Sequence, residues 1–388
     1  MPRRDLGNVA AVPAVDVLAP PLGHRRPLDG IRALAVLMVA GVHTHPRLVP
    51  GGSIGVDVFF VLSGFLITTL LVEELDRHDR ISFGRFYARR ALRLLPALFA
   101  LLGVVTLWAV VVASPGTRHD ALMEVLTAAT YSRNFTVWSH VPGPLLGHTW
   151  SLAVEEQFYL LWPIVLALVV RPRRGAHGVV VAFLAVVVLF GAFRAADMTG
   201  VGLVLIQRPD ALLLGAALAL LRRQHPQLLD RTQPWGPAVA AAATTGLLAL
   251  AAWDGADDFH SVGYSLAAVA AVALIAGLVV SNGRGVARLF ATGPAVTLGK
   301  VSYGFYLWHM PILRWTDDRL VGQPALVRLP IGLALAAVAT AASYLLVERP
   351  ALRWKDRFRV SSVAEAEQTG EQRHDEPDPD RDGHPEHR

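Results

Sequence analysis

Apolar runs of about 20 residues, separated by short polar stretches, recur along most of this chain. An α-helix rises ~1.5 Å per residue, so each run is long enough to cross ~30 Å of hydrocarbon. The pattern predicts an all-α polytopic membrane protein with about ten membrane-spanning helices. These are expected at residues 30–49, 53–75, 94–113, 149–170, 178–196, 209–221, 237–253, 262–281, 294–313 and 326–347.

The stretch 119–137 has two interpretations, an eleventh span or a helix lying at the membrane interface. The polar segments on one side of the ten spans are rich in arginine, as in "RHDRISFGRFYARRALR", whereas the opposite side carries the acidic "DGADDFH". Short cytoplasmic loops are enriched in arginine and lysine, so this asymmetry predicts cytoplasmic termini on a multi-pass protein of the cell membrane. An eleventh span would invert every later loop, which favours the interfacial helix at the outer surface.

The ends of the chain differ in composition from the middle. Residues 1–27 contain several prolines and no compact apolar core, and they predict a flexible cytoplasmic tail. Residues 28–350 form the predicted transmembrane domain. Residues 351–388 turn polar, which predicts a largely disordered cytoplasmic tail.

Composition narrows the classes of function. The chain has 388 residues, 53% of them hydrophobic and only 17% charged, which is typical of a membrane protein. The net charge of +5 comes from arginines in short loops beside the spans, so we expect a lipid bilayer and no nucleic acid as partner. The absence of cysteine excludes disulfides and thiolate nucleophiles. We expect neither a metal nor a tightly bound cofactor.

The first span carries two polar side chains, Arg32 and His43, in the stretch "LDGIRALAVLMVAGVHTH". Eleven residues make about three helical turns, so both side chains share a face and lie ~16 Å apart along the axis. Arg32 alone could extend its charge to the cytoplasmic interface. His43 is either a histidine satisfied within the core or, as we favour for an ionisable group inside a span, a functional residue.

Asp57 lies about one turn inside the second span, at a depth similar to that of His43. A carboxylate beside an imidazole fixes its tautomer and supports proton abstraction, which predicts a catalytic role for Asp57. The alternative is an aspartate favoured by the dipole at the start of a helix. The neighbouring Ser63 and Gly64 are interpreted as positions for close helix packing.

The fourth span, "HTWSLAVEEQFYLLWP", carries Glu155 and Glu156 in its outer half, and Tyr159 lies one turn from Glu155. Two adjacent carboxylates in an apolar helix are costly, so at least one should be paired or protonated. We predict a catalytic role for Glu155 and substrate binding by Glu156 and Tyr159.

The ninth span adds a stripe of polar and aromatic side chains in "VSYGFYLWHMPI". A plain aromatic stripe would indicate core packing, but this one carries two hydroxyls and an imidazole, which favours a polar pocket. We predict substrate binding by Ser302, Tyr306 and His309, and by Arg208, which enters with Asp210 at the same outer level.

A basic cluster follows the second span in "FGRFYARRALRLLP" and contains Arg85, Arg89, Arg90 and Arg93. Arg90 and Arg93 are three residues apart and therefore share a helical face. The cluster either sets topology alone or grips a phosphate, for which the guanidinium group is well suited.

Taken together, these motifs resemble the membrane acyltransferase-3 family of O-acyltransferases. The motifs are Arg32 with His43, "GVDVFFVLSGFLI", "RRALRLLPA", "TWSLAVEEQFYLLWP" and "SYGFYLWHMPI", in the family's usual order. The resemblance implies transfer of an acyl group, commonly acetyl, from cytoplasmic acyl-CoA to a hydroxyl of a glycan, a glycolipid or a macrolide. It also implies that Arg32 and His43 are the family's essential pair, and that Arg90 and Arg93 are its cytoplasmic RxxR motif.

Two classes of function therefore compete. The first is an acyl-CoA-dependent O-acyltransferase in which His43 is the general base or a transient acyl carrier. The second is a transporter of glycans, lipids or protons that uses His43, Asp57 and Glu155 as a relay. The arginine cluster and the full set of motifs favour the enzyme.

Overall fold

The computed structural model describes residues 20–136, 143–170, 208–253 and 262–355, with isolated positions between 178 and 192. The regular secondary structure in these ranges is entirely helical, joined by short turns and loops, and contains no strand. The longer helices are α1 (Arg26–Thr44), α2 (Gly55–His78), α3 (Phe83–Val111), α4 (Pro115–Ala129), α5 (Trp150–Val169), α6 (Pro209–Gln224), α7 (Gly236–Ala251), α8 (Tyr264–Val280), α9 (Gly293–Arg319) and α10 (Ala325–Ser343). Shorter helical segments are Gly52–Ile54, Arg133–Thr136, Gly147–Thr149, Pro226–Arg231, Gln233–Trp235, Ala287–Phe290, Tyr344–Glu348 and Arg349–Lys355.

Five helical segments within the described residues are long and apolar enough to cross a membrane. They are Gly52–His78, Phe83–Val111, Gly147–Val169, Gln233–Ala251 and Ala325–Trp354, and a sixth apolar helix, Tyr264–Val280, is shorter. The protein is therefore a multi-pass membrane protein. The prediction of about ten spans is not confirmed, although the all-helical class is.

Among the described residues, fewer helices than predicted qualify as membrane spans, because some of the predicted spans carry charged side chains and others are too short. α1 and α9 coincide with predicted spans, but α1 carries Asp29 and Arg32, and α9 carries Lys300. α6 has 16 residues and rises only ~24 Å. The predicted span 178–196 and most of both predicted tails lie outside the described residues.

α4 covers most of the stretch with two interpretations. Its 15 residues rise ~22 Å, which is short of ~30 Å of hydrocarbon, and it packs against α3. This length favours the interfacial helix over an eleventh span. The cytoplasmic placement of both termini stays a prediction.

Close backbone contacts at glycines set the helix pairs that frame the interior. A Cβ on Gly64 would collide with the Leu212 carbonyl oxygen on α6, which confirms that Gly64 serves close packing. In the same way, Gly299 on α9 lies against the Asp29 carbonyl on α1. α2 packs extensively on α6, and α1 packs extensively on α9. The helices that carry His43 and His309 therefore lie side by side.

Candidate active site

A cavity of about 230 Å³ lies among α1, α2, α3, α5 and α9. One end of it is strongly basic, because five cationic side chains line it, namely Arg32, Arg89, Arg90, Arg93 and Lys300. Serine, tyrosine and glutamate side chains line the rest of its polar wall, namely Ser63, Ser151, Glu155, Tyr159, Ser302, Tyr303 and Tyr306.

The helices give the cavity a direction. Along α5, Tyr159 contacts the basic end, Glu155 follows one turn away, and Ser151 lies ~12 Å from the level of Tyr159. Along α9, Lys300 belongs to the basic end and Tyr306 lies ~9 Å further along. The cavity therefore runs from a basic end to an end closed by hydroxyl groups.

At the basic end, the cationic side chains outnumber the carboxylates that neutralise them. Arg32 donates to Asp29 at 2.9 Å, and Arg89 lies 3.9 Å from Glu74. Arg90 stacks over the Tyr159 ring, with its guanidinium carbon 4.0 Å from the ring centre. Arg93 forms neither a hydrogen bond nor an ion pair with any described residue. Such uncompensated guanidinium groups suit a phosphate ligand.

Glu155 lies in the middle of the cavity and accepts hydrogen bonds from Ser63 and Tyr159. The prediction that one of the two adjacent carboxylates is paired is therefore confirmed. Two interpretations of the sequence are corrected. The Ser63 side chain lines the cavity and does not serve helix packing, and Glu155 lines the same cavity as the arginines, whereas His43 does not. Glu156 does not line the cavity, and its buried Oε1 has no partner among the described residues.

The far end of the cavity is closed by Ser151 and Tyr306, whose hydroxyl oxygens are 2.6 Å apart. The Tyr306 hydroxyl donates to the His148 carbonyl oxygen at 2.6 Å, so Ser151 supplies the proton between the two hydroxyls. Ser302, which also lines the cavity, donates to the Gly299 carbonyl oxygen at 2.9 Å.

Behind Tyr306, two histidines from α1 and α9 meet. His43 Nδ1 lies 2.8 Å from the Val39 carbonyl oxygen and 3.3 Å from His309 Nε2. His309 Nδ1 lies 2.6 Å from the Tyr306 carbonyl oxygen. Because carbonyl oxygens only accept, both Nδ1 atoms carry the proton in the neutral rings. His43 Nε2 is then left with a lone pair, as a general base requires.

His148 completes this group of histidines. Its ring centre lies 5.2 Å from that of His309 and 5.2 Å from that of Tyr306. His148 and His309 are buried, whereas His43 is exposed at the end of α1. One ring nitrogen of His148 meets the backbone carbonyl of Leu307, and the other has no hydrogen-bond partner among the described residues. In that part of the chain no group of His, Asp and Glu side chains has the arrangement of a metal site.

Glu124 on α4 supports the segment that carries His148. Its carboxylate accepts the backbone N–H of Leu146, and the side chain is fully buried. Burial raises the pKa of Glu124, and the hydrogen bond from Leu146 partly opposes this rise. The carboxylate therefore ties α4 to the segment just before α5.

The sequence profile of the acyltransferase domain family matches residues 26–348, which is most of the chain. The chain belongs to the acyltransferase-3 family. It is similar to the O-acetyltransferase OatA of Staphylococcus aureus strain NCTC 8325, with 29% identity over 340 residues, 83% of this chain and 56% of that protein. The same identity and coverage hold for OatA of strain COL. The chain spans a little over half the length of these curated relatives. No solved structure matches.

Asp57 of this acyltransferase-3 chain is not where the sequence placed it. It forms an ion pair with Arg208 at 3.1 Å, and both side chains are buried. The Arg208 guanidinium stacks on Tyr264, 3.8 Å from the ring centre. The predicted pairing of Asp57 with His43 is therefore wrong, because equal depth in the membrane does not determine which neighbouring helix a side chain faces. Asp57 on α2 faces Arg208, at the start of α6. Arg208 does not line the cavity.

The predicted site residues of the family member fall into four groups in the structure. Those that line the cavity are Arg32, Arg90, Arg93, Glu155, Tyr159, Ser302 and Tyr306. His43 and His309 meet behind Tyr306, Asp57 and Arg208 pair elsewhere, and Glu156 does not line the cavity. His148, Ser151 and Lys300 belong to the site but were not predicted from the sequence. Their signal was the position of "HTWS" at the start of the fourth span, and the rarity of lysine in an apolar stretch.

Proposed function

We propose that this protein is an O-acyltransferase that moves an acyl group, acetyl in the first instance, from acyl-CoA to a hydroxyl group. The acceptor is a glycan, a glycolipid or a related molecule, with a macrolide as the alternative. The observation that carries this proposal is the cavity, which joins a cluster of guanidinium groups to the Ser151–Tyr306 end beside the histidine pair. The relatives named O-acetyltransferase support acetyl as the group transferred.

Arg90 and Arg93 hold the phosphates of the donor in this proposal. Neither contacts a carboxylate among the described residues, and both line the basic end beside Arg32. Charge-assisted hydrogen bonds to phosphate are short and strong, and the planar guanidinium group presents them in pairs. The basic end faces the cytoplasm, where acyl-CoA is made available, if the arginine-rich segments are cytoplasmic as the sequence predicts.

His43 serves as the general base. Its Nε2 accepts the proton of the acceptor hydroxyl while the hydroxyl oxygen bonds to the carbonyl carbon of the thioester. The carbon–sulfur bond then breaks, and the proton passes from His43 to the departing thiolate, which gives the ester and CoA. The Val39 carbonyl oxygen at 2.8 Å and His309 Nε2 at 3.3 Å both accept from His43 Nδ1–H. They hold the ring in this tautomer and stabilise the imidazolium that forms.

The test is a transfer assay with the purified full chain in lipid nanodiscs. We expect release of the CoA thiol from acetyl-CoA to depend on an added hydroxyl acceptor and to yield an acetylated product detected by mass spectrometry. A panel of glycan oligomers, lipid-linked sugars and macrolides identifies the acceptor class. Proteoliposomes that move sugar or protons without forming any acetyl ester would instead establish a transporter. The Asp57–Arg208 ion pair argues against that outcome, because it removes Asp57 from the relay.

A further inference from the structure

Tyr306 stands between the donor cavity and the histidines. Its side chain lines the cavity, and its ring centre lies 5.2 Å from that of His148 and 5.6 Å from that of His309. None of His43, His148 and His309 lines the cavity. A thioester held in the cavity therefore meets Tyr306 before the histidines. His148 and His309 adjoin Tyr306, and His43 adjoins His309.

We propose that Tyr306, held by Ser151 and the His148 carbonyl, is a barrier that makes the enzyme choose a hydroxyl acceptor over water. This inference rests on the proposed function. The hydroxyl of Tyr306 makes two hydrogen bonds of 2.6 Å, and both end on the short stretch from His148 to Ser151. These bonds tie α9 to the start of α5 and keep the ring across the end of the cavity.

The two sides of the barrier differ in access to solvent. Tyr306 and Ser302 are buried, as are His148 and His309, whereas His43 has exposed surface and does not line the cavity. Because His43 lies in the last turn of α1, beside the loop that follows it, water approaches this base while the barrier separates it from the donor. Excluding water until the correct substrate is present is a common task of gates in transferases.

Opening the barrier without an acceptor would give hydrolysis. Water would add its oxygen to the thioester carbon, its proton would go to His43, and the carbon–sulfur bond would break. The proton would then reach the thiolate, with acetate and CoA as products. Tyr306 suppresses this reaction by keeping the thioester away from water that His43 has activated.

His148 links the barrier to the acceptor. Its carbonyl oxygen holds Tyr306, and one nitrogen of its buried ring meets the backbone carbonyl of Leu307. The other ring nitrogen has no partner among the described residues, and a buried polar atom without a partner is costly, so it is well suited to bond an incoming hydroxyl group. An acceptor that binds the ring acts on the same residue that holds the barrier shut.

The experiment measures CoA release from acetyl-CoA with no acceptor, on the full chain in nanodiscs. Tyr306→Phe removes both hydrogen bonds and keeps the ring, so we expect hydrolysis to rise roughly three- to tenfold. Ser151→Ala removes one of the bonds and should give a smaller rise. Tyr87→Phe is the matched control, because Tyr87 also donates its hydroxyl proton to a backbone carbonyl, that of Leu160 at 2.8 Å, and does not line the cavity. Its hydrolysis rate should match the wild type.

Two further measurements separate the possible failures. Adding His43→Gln to Tyr306→Phe should abolish the rise, since the base that activates water is gone. Hydrolysis by Tyr306→Phe at or below the wild-type rate, in protein that binds acetyl-CoA normally, would overturn the barrier alone. A rise that persists in the double variant would overturn it as well. Wild-type protein that fails to bind acetyl-CoA would overturn the proposed function itself.

Discussion

Replacing His43 by glutamine is expected to lower the kcat of acyl transfer by about 10²- to 10⁴-fold, the range typical of a positioned general base. An acceptor hydroxyl has a pKa far above neutral, so it needs a base as it attacks the thioester. Glutamine keeps the size and polarity of the side chain but cannot take up the proton. The KM for acetyl-CoA should change little, because His43 lies outside the donor cavity.

His45→Gln is the matched control for this substitution. His45 is the first residue after α1, two residues beyond His43, and its side chain makes no hydrogen bond within the described part of the chain. We expect His45→Gln to retain near wild-type turnover. The measurement is the steady-state rate of acetylated product, with membrane insertion and monodispersity compared first. Turnover by His43→Gln close to that of His45→Gln would show that His43 has a structural role only.

Replacing Arg93 by alanine is expected to raise the KM for acetyl-CoA roughly ten- to a hundredfold, and Arg90→Ala should act in the same direction. Losing one charge-assisted hydrogen bond costs about 1.5–3 kcal/mol, which corresponds to this change in affinity. The kcat should fall less, since neither arginine approaches the histidine pair. Arg93 has the clearer effect, because Arg90 also stacks on Tyr159 and its loss disturbs that contact.

Arg85→Ala is the control for charge alone. Arg85 lies in the same cluster but donates to Ser82 at 2.6 Å and does not line the cavity. Equal donor KM values for Arg93→Ala, Arg85→Ala and the wild type would mean that the arginines serve topology. The kinetics should be measured at several salt concentrations, because a phosphate grip weakens with ionic strength.

Periodicity within one helix could be read from the sequence. The shared face of Glu155 and Tyr159 follows from four-residue spacing, and the structure joins them by a hydrogen bond. Arg90 and Arg93, three residues apart, likewise reach the same cavity. The apolar runs predicted the positions of most helices, since burial in lipid leaves a strong local signal.

Contacts between helices could not be read in this way. Depth in the membrane suggested that Asp57 would meet His43, but depth says nothing of which side a neighbouring helix occupies. His43 instead meets His309, 266 residues away, and Ser63 meets Glu155, 92 residues away. These pairs depend on helix packing, which close contacts such as Gly299 with Asp29 determine.

Hydrogen bonds to buried backbone groups could not be predicted from the sequence either. His148 contributes through its carbonyl oxygen, which any residue could supply, as well as through its ring. Nothing in the spacing of "HTWS" distinguishes a residue that caps a span from one that holds Tyr306. Only the approach of α9 to the start of α5 brings the two together.

The most direct test of the account is an electron cryomicroscopy map of the full chain with an acetyl-CoA analogue whose sulfur and carbonyl are separated by a methylene group. If acyl-CoA binds as we propose, the phosphate density lies against Arg90 and Arg93, and the acetyl end lies beside Ser151 and Tyr306. Density for the analogue outside this cavity, or with its acetyl end at the arginines, would contradict the proposal.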